Sequence, residues 1–142
     1  EANALIGTVR PTGYDDLDAL LETVQNHLHV VQADLANPDP DPEDPQVESD
    51  HVATLETEID GYDEELAPLQ SFILPGGGPS GARLHHARTV VRRAERRTVE
   101  LAQSEPINET VVTYLNRLSD LLFTLGRVAN ARDGEPEESP TY

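Results

Sequence analysis

Arg83, Arg88, Arg92, Arg93, Arg96 and Arg97 crowd into one short stretch broken by a single acid, Glu95, in a chain of net charge −17. Guanidinium groups are permanently charged and present forked donors that match phosphate and carboxylate oxygens. Positive charge concentrated in an otherwise anionic protein suits one small polyanion, such as a nucleoside triphosphate. It does not suit nucleic acid, because the remaining surface would repel a long phosphate backbone. The plainer use of such a run is a solvated basic face that pairs with neighbouring acids. At about 100° per residue, Arg88, Arg92 and Glu95 fall beside one apolar seam. Arg93 and Arg97 point roughly the opposite way, towards solvent or another subunit.

Other chemistries find little support. The chain has no Cys, which removes disulfides, thiolate metal sites and cysteine nucleophiles. Pro75-Gly-Gly-Gly-Pro-Ser-Gly81 has the glycine content of a phosphate loop. It lacks the Gly-Lys-Ser/Thr ending, follows no predicted strand and reads as a connector or hinge. His85-His86 and His27-x-His29 share no helical face in a zinc-binding pattern, and there is no HExxH. Nothing beyond the residue types themselves points to a Ser-His-Asp triad.

The elements that must carry the arginines are helices. A length of 142 residues fits one domain with one core, and 37% hydrophobic but only 4% aromatic content favours packed helices over a sandwich or barrel. Ala2, Leu5, Ile6 and Val9 open a helix that Pro11-Thr12-Gly13 breaks. Leu17, Leu20, Leu21, Val24, Leu28, Val31 and Leu35 form a second stripe. The proline-rich Asn37–Pro45 is an exposed loop. Helix returns from Val47 to about Leu69, with Val52, Leu55, Ile59 and Leu66 inward. An irregular loop over 70–82 precedes two long helices, at about 80–103 and 108–131. Leu84, Ala87, Val91, Ala94, Thr98 and Leu101 on the first, and Val111, Leu115, Leu118, Leu122, Leu125 and Ala129 on the second, alternate steps of three and four. That is the seam of a helical bundle. Residues 1–131 form the single domain, and 132–142 are expected to be an acidic disordered tail.

All ten Lys+Arg positions are Arg and the sequence pI is about 4.4. A surface poor in lysine and rich in carboxylates keeps proteins of a very salty cytoplasm hydrated, so the overall charge reads as halophilic adaptation. No apolar run approaches a membrane span and no signal peptide is present, so a cytoplasmic location is expected. The chain has no Met and begins at Glu1, the pattern of a processed or truncated product.

One combination is more specific than its parts: Phe72-Ile-Leu-Pro-Gly-Gly77, Leu84-His85-x-Ala87-Arg88, Arg92-Arg93-Ala94-Glu95-Arg96-Arg97 and Tyr114-Leu-Asn116-Arg-Leu-Ser-Asp120-Leu-Leu-Phe123. In that order and spacing the chain closely resembles the PduO-type ATP:cob(I)alamin adenosyltransferases, the family that includes the human mitochondrial enzyme. Glu1-Ala-Asn-Ala-Leu-Ile-Gly7 looks like the family's first helix, and Val24-Gln-Asn-x-Leu28 like its continuation.

The resemblance implies an all-α, ferritin-like five-helix bundle assembling as a homotrimer. It also implies transfer of the 5′-deoxyadenosyl group of MgATP to cob(I)alamin, with release of triphosphate. Cobalt(I) is itself the nucleophile, so the protein supplies orientation and cationic stabilisation of the leaving group. Residue by residue, Arg88, Arg92, Arg93, Glu95, Arg96 and Asn116 match the family's ATP-site positions. Arg92 and Arg96 would contact phosphates, Glu95 would hold an arginine or the ribose, and Asn116 would approach the nucleotide. Phe72 matches the aromatic that lies under the corrin and expels its lower axial ligand, and with Arg88 and Arg92 completes the catalytic set. A cobalamin-dependent mutase and a reductase are the implied partners. The family's Thr-Lys-Thr-Gly-Asp-type phosphate segment, and the Asp before Glu1 that would pair with Arg88, are absent from this chain. Activity of the truncated form is expected to be impaired. The alternative is a corrinoid-binding or delivery protein that keeps the bundle without catalysis.

Overall fold

Five helices and no strands make up the chain: α1 (Ala2–Val9), α2 (Asp15–Ala36), α3 (Ser49–Asp63), α4 (Pro79–Ala102) and α5 (Glu109–Arg132). The computed structural model describes all residues, Glu1–Tyr142. Local chemistry explains the helix starts. Asp15, Asp16 and Asp18 sit in the first turn of α2, where the helix dipole favours negative charge. Asp18 also reaches back to accept from the Thr12 amide and hydroxyl, both at 2.9 Å. Glu48 and His51 form a reciprocal capping box on α3. Pro79 opens α4, where its missing N–H costs nothing. Asn108 caps α5 through the Thr110 amide at 3.1 Å.

The predicted seams meet. Leu84, Ala87 and Val91 of α4 and Leu115, Leu118, Leu122 and Leu125 of α5 are fully buried or nearly so, together with Ile6, Leu17, Leu21, Val24 and Leu55 from the other helices. Truncating any of these leucines to alanine removes about 2–5 kcal/mol, since a packed core collapses only partly around the gap. α5 is the central element. From Thr124 to Asn130 every residue is buried, so that part of the helix is covered all round.

The structure differs from the sequence expectation at two places. The helix expected to run to Leu69 ends at Asp63. Pro68 disfavours helical backbone at Ala67, and the chain beyond α3 instead carries Leu66 onto the core as part of a loop. The expected disordered tail runs along residues 71–78 instead: the Leu74 amide donates to Glu138 O at 2.8 Å, and Ser71 and Ser139 hydroxyls lie 2.8 Å apart. Composition alone reads this segment as unfolded, but the partners that hold it are tertiary. The proline loop is anchored too. Buried Asp34 accepts from the Val47 amide at 2.8 Å and from Asn108 Nδ2 at 2.9 Å, tying the loop's exit to the start of α5.

Candidate functional site

Of the ten arginines, five form a salt bridge: Arg10, Arg93, Arg117, Arg127 and Arg132. The five that do not are Arg83, Arg88, Arg92, Arg96 and Arg97, all on α4. In a chain with 27 Asp and Glu, acids are abundant, yet the basic helix keeps most of its charge free. This is not the ion-paired basic face that a surface charge run usually forms.

Two clefts flank α4. The larger, about 820 Å³, lies between the end of α3, the 67–73 loop, α4 and α5, and is lined by Phe72, Arg88, Asp120, Phe123, Thr124 and Arg127 among others. Phe72 is 82% exposed on its loop, a costly position for a large ring unless something is to cover it. Arg88 stacks over the Phe123 ring, 5.4 Å from its centroid, and the His85 ring meets the same phenyl edge-to-face at 5.9 Å. Burial, reinforced by the Arg88 charge, lowers the His85 pKa from its ordinary value and favours the neutral ring.

The smaller cleft, about 280 Å³, lies where α1 crosses α4 and α2, with Arg93 and Arg97 facing Glu1, Asn3 and Gln32 above an apolar floor that includes Leu28, Val31 and Leu115. Arg93 pairs with Glu1. The sequence reading sent Arg93 and Arg97 to solvent or to another subunit. Both are exposed to solvent, and they also line this open cleft because α1 packs on that side of α4.

Glu95 and Asn116 meet across the α4–α5 seam, Asn116 Nδ2 donating to Glu95 Oε1 at 2.9 Å. Arg117 donates to the Asn116 carbonyl oxygen and pairs with Asp120 at 2.9 Å. The asparagine amide is thus oriented from both ends. Of the predicted site residues, Arg88 and Phe72 share one cleft, Glu95 and Asn116 touch, Arg93 borders the second cleft, and Arg92 and Arg96 project from the exposed side of α4.

Two residues that sequence reasoning undervalued organise the site. Arg127 is turned inward and only 6% exposed, donating to Glu137 at 2.7 and 3.1 Å and to Ala67 O at 2.9 Å. Its charge holds the Glu137 carboxyl below the usual range. Asn130 accounts for the glycine run. Its Nδ2 donates to Gly76 O at 2.8 Å and its Oδ1 accepts from the Gly78 amide at 3.0 Å. A Cβ on Gly77 or Gly81 would lie 2.3 or 2.0 Å from that oxygen. Gly77 also has φ +106°, a conformation side chains avoid. The glycines admit an asparagine. An asparagine near the end of the helix that the loop packs against is the one available signal.

The chain belongs to the cobalamin adenosyltransferase family, whose model matches residues 1–129. The chain is 49% identical over 122 residues to the corrinoid adenosyltransferase of Bacillus subtilis, covering 86% of this chain and 63% of that one. It is 44% identical over 142 residues to that of Mycobacterium tuberculosis, covering 95% and 73%. It superposes with a TM-score of 0.89, at 33% identity, on a variant PduO-type ATP:corrinoid adenosyltransferase from Lactobacillus reuteri complexed with cobalamin and ATP, covering 98% of this chain and 77% of that one. The chain therefore spans just under two thirds of the Bacillus relative's length.

Proposed function

We propose that the chain is the helical-bundle part of an ATP:cob(I)alamin adenosyltransferase. The observation that carries this is the set of unpaired arginines on α4 beside a cleft lined by an exposed Phe72. In the reaction, the electron pair of cobalt(I) forms a bond to C5′ of ATP while the C5′–oxygen bond breaks and triphosphate departs. No general base is needed. Negative charge grows on the leaving oxygen, and fixed guanidinium groups stabilise it without reorganising as the reaction proceeds.

Arg92 and Arg96, exposed and free of carboxylates, are assigned to the phosphates. Mg2+ arrives on the triphosphate. Asn116, oriented by Glu95 and Arg117, is assigned to the nucleotide, with Arg93 on its far side. The large cleft takes the corrin ring, with Phe72 beneath it in place of the lower axial ligand, so that cobalt(II) becomes four-coordinate and easier to reduce. Arg88, stacked on Phe123, stands between the two substrates.

Residues 1–131 with the tail packed on them act as one unit, and three copies close into a ring that completes each site. The acidic, lysine-free surface fits work in concentrated salt within the cytoplasm, with a reductase supplying cobalt(I) and a cobalamin-dependent mutase receiving the product. No helix is long and apolar enough to cross a membrane.

Anaerobic incubation of the full-length protein with MgATP and reduced cobalamin in molar salt tests the reading. Appearance of the adenosylcobalamin spectrum supports it. Binding of corrinoid without conversion would favour the delivery protein instead.

A further inference from the structure

The loop that carries Phe72 has no regular structure, yet its backbone is held at one point after another by α5 and the tail. Arg127 holds Ala67 O at its start. Ser71 meets Ser139, and the Leu74 amide donates to Glu138 O. Asn130 holds Gly76 O and the Gly78 amide. The tail is fixed in its turn: Tyr14 Oη donates to Asp133 at 2.6 Å, the Glu135 amide donates to Asn130 O at 2.8 Å, and Glu137 chelates the Arg127 guanidinium. Amid all these attachments the Phe72 side chain stays exposed.

An unrestrained loop would fold such a ring onto the nearest apolar surface, and the cleft beside it offers Ile59, Leu66 and Phe123. Holding the ring out therefore requires a frame, and ordering that frame costs backbone entropy. Arg127 is the common point. It is buried, it lines the cleft, and its Nη2 grips Ala67 O at the loop's start while Nε and the same Nη2 hold the tail's Glu137.

We propose that the tail segment 135–139 is a strap that positions the Phe72 loop, fastened by the Arg127–Glu137 pair, and that both are positioning residues for the corrinoid. The corrinoid part rests on the adenosyltransferase reading; the strap itself does not. Glu137 is the residue to change, since its carboxylate is partly exposed and its side-chain hydrogen bonds run to Arg127. In Glu137→Gln the charge-assisted chelation of Arg127 is lost, while in Glu137→Asp a shorter carboxylate restores part of it.

Hydrogen exchange on the whole protein is read first. Amides 71–76 should exchange roughly tenfold faster in Glu137→Gln, with α1 and α2 unchanged and partial recovery in Glu137→Asp. The KM for corrinoid should rise about fivefold with that for ATP unchanged. Unchanged exchange over 71–76 overturns the strap, whatever the activity. Faster exchange with equal rises in both KM values overturns the positioning role. Wild-type protein that makes no adenosylcobalamin overturns the adenosyltransferase reading instead, and the exchange result still decides the strap.

Discussion

Asn116 Nδ2 donates to Glu95 Oε1 at 2.9 Å, joining the basic helix to the central helix within one turn of Arg92. An amide has two donors and an acceptor that look alike sterically, so an unrestrained asparagine would present either face to a ligand. The carboxylate fixes the NH2 inward and leaves the carbonyl oxygen with Arg117. Glu95→Ala should therefore lower kcat/KM for adenosyl transfer by about 2–3 kcal/mol in transition-state terms, and Glu95→Gln by less. Steady-state kinetics checks this, and a loss confined to thermal stability would contradict it.

Arg92→Ala leaves phosphate charge uncompensated and should cost on the order of 2–4 kcal/mol of transition-state stabilisation. Arg83→Ala, at the exposed start of the same helix and lining neither cleft, should change the rate little. Both variants remove one positive charge. Titration of ATP binding and transfer rates in the pair separates a local contact from a general field, because a field would make the two losses equal.

Gly81→Ala would place a methyl 2.0 Å from Asn130 Oδ1, and the asparagine cannot yield without breaking its bonds to Gly76 and Gly78. The expected destabilisation is about 2–4 kcal/mol, from overpacking plus the lost hydrogen bonds. In urea unfolding, Gly81→Ala combined with Asn130→Ala should cost less than the sum of the single changes, since both act on the same contact.

Arg132 grips Asp16 with two nitrogens, at 2.8 and 3.0 Å, and Glu65 as well. That guanidinium, with the Tyr62 hydroxyl, holds the Asp16 carboxyl down to about 2. A carboxyl depressed in the folded state stabilises it above the ordinary carboxylate range, and the contribution is lost as pH falls from about 4 towards 2. Urea midpoints across that window should fall in the wild type and fall less steeply in Asp16→Asn.

Much of the fold was legible because its signals are local. The alternating three and four steps from Leu84 to Leu101 and from Val111 to Ala129 gave both long helices to within a residue or two, and Asp15-Asp16 marked the start of α2. The end of α3 and the course of the tail were not legible, since Leu66 takes its place from the bundle core and the tail from Ser71 and Leu74 on a loop distant in sequence. At the site, the basic helix was legible from its residue types, but the contact of Glu95 with Asn116 was not, since the sequence reading assigned Glu95 to an arginine or the ribose. The placement of Arg93 and Arg97 was not legible either, because it depends on where α1 crosses. Nor was the inward turn of Arg127, whose periodicity places it on a polar row until the tail's carboxylate supplies a buried partner.

The central claim is that cobalt takes the adenosyl group of ATP and that triphosphate leaves intact. Its most direct test is product accounting with the full-length protein, MgATP labelled in the adenosine, and cob(I)alamin under anaerobic conditions. The account predicts adenosine label bound to cobalt in a light-sensitive bond, with one triphosphate released for each adenosylcobalamin formed. Release of diphosphate or phosphate, with no label on the corrinoid, would contradict it.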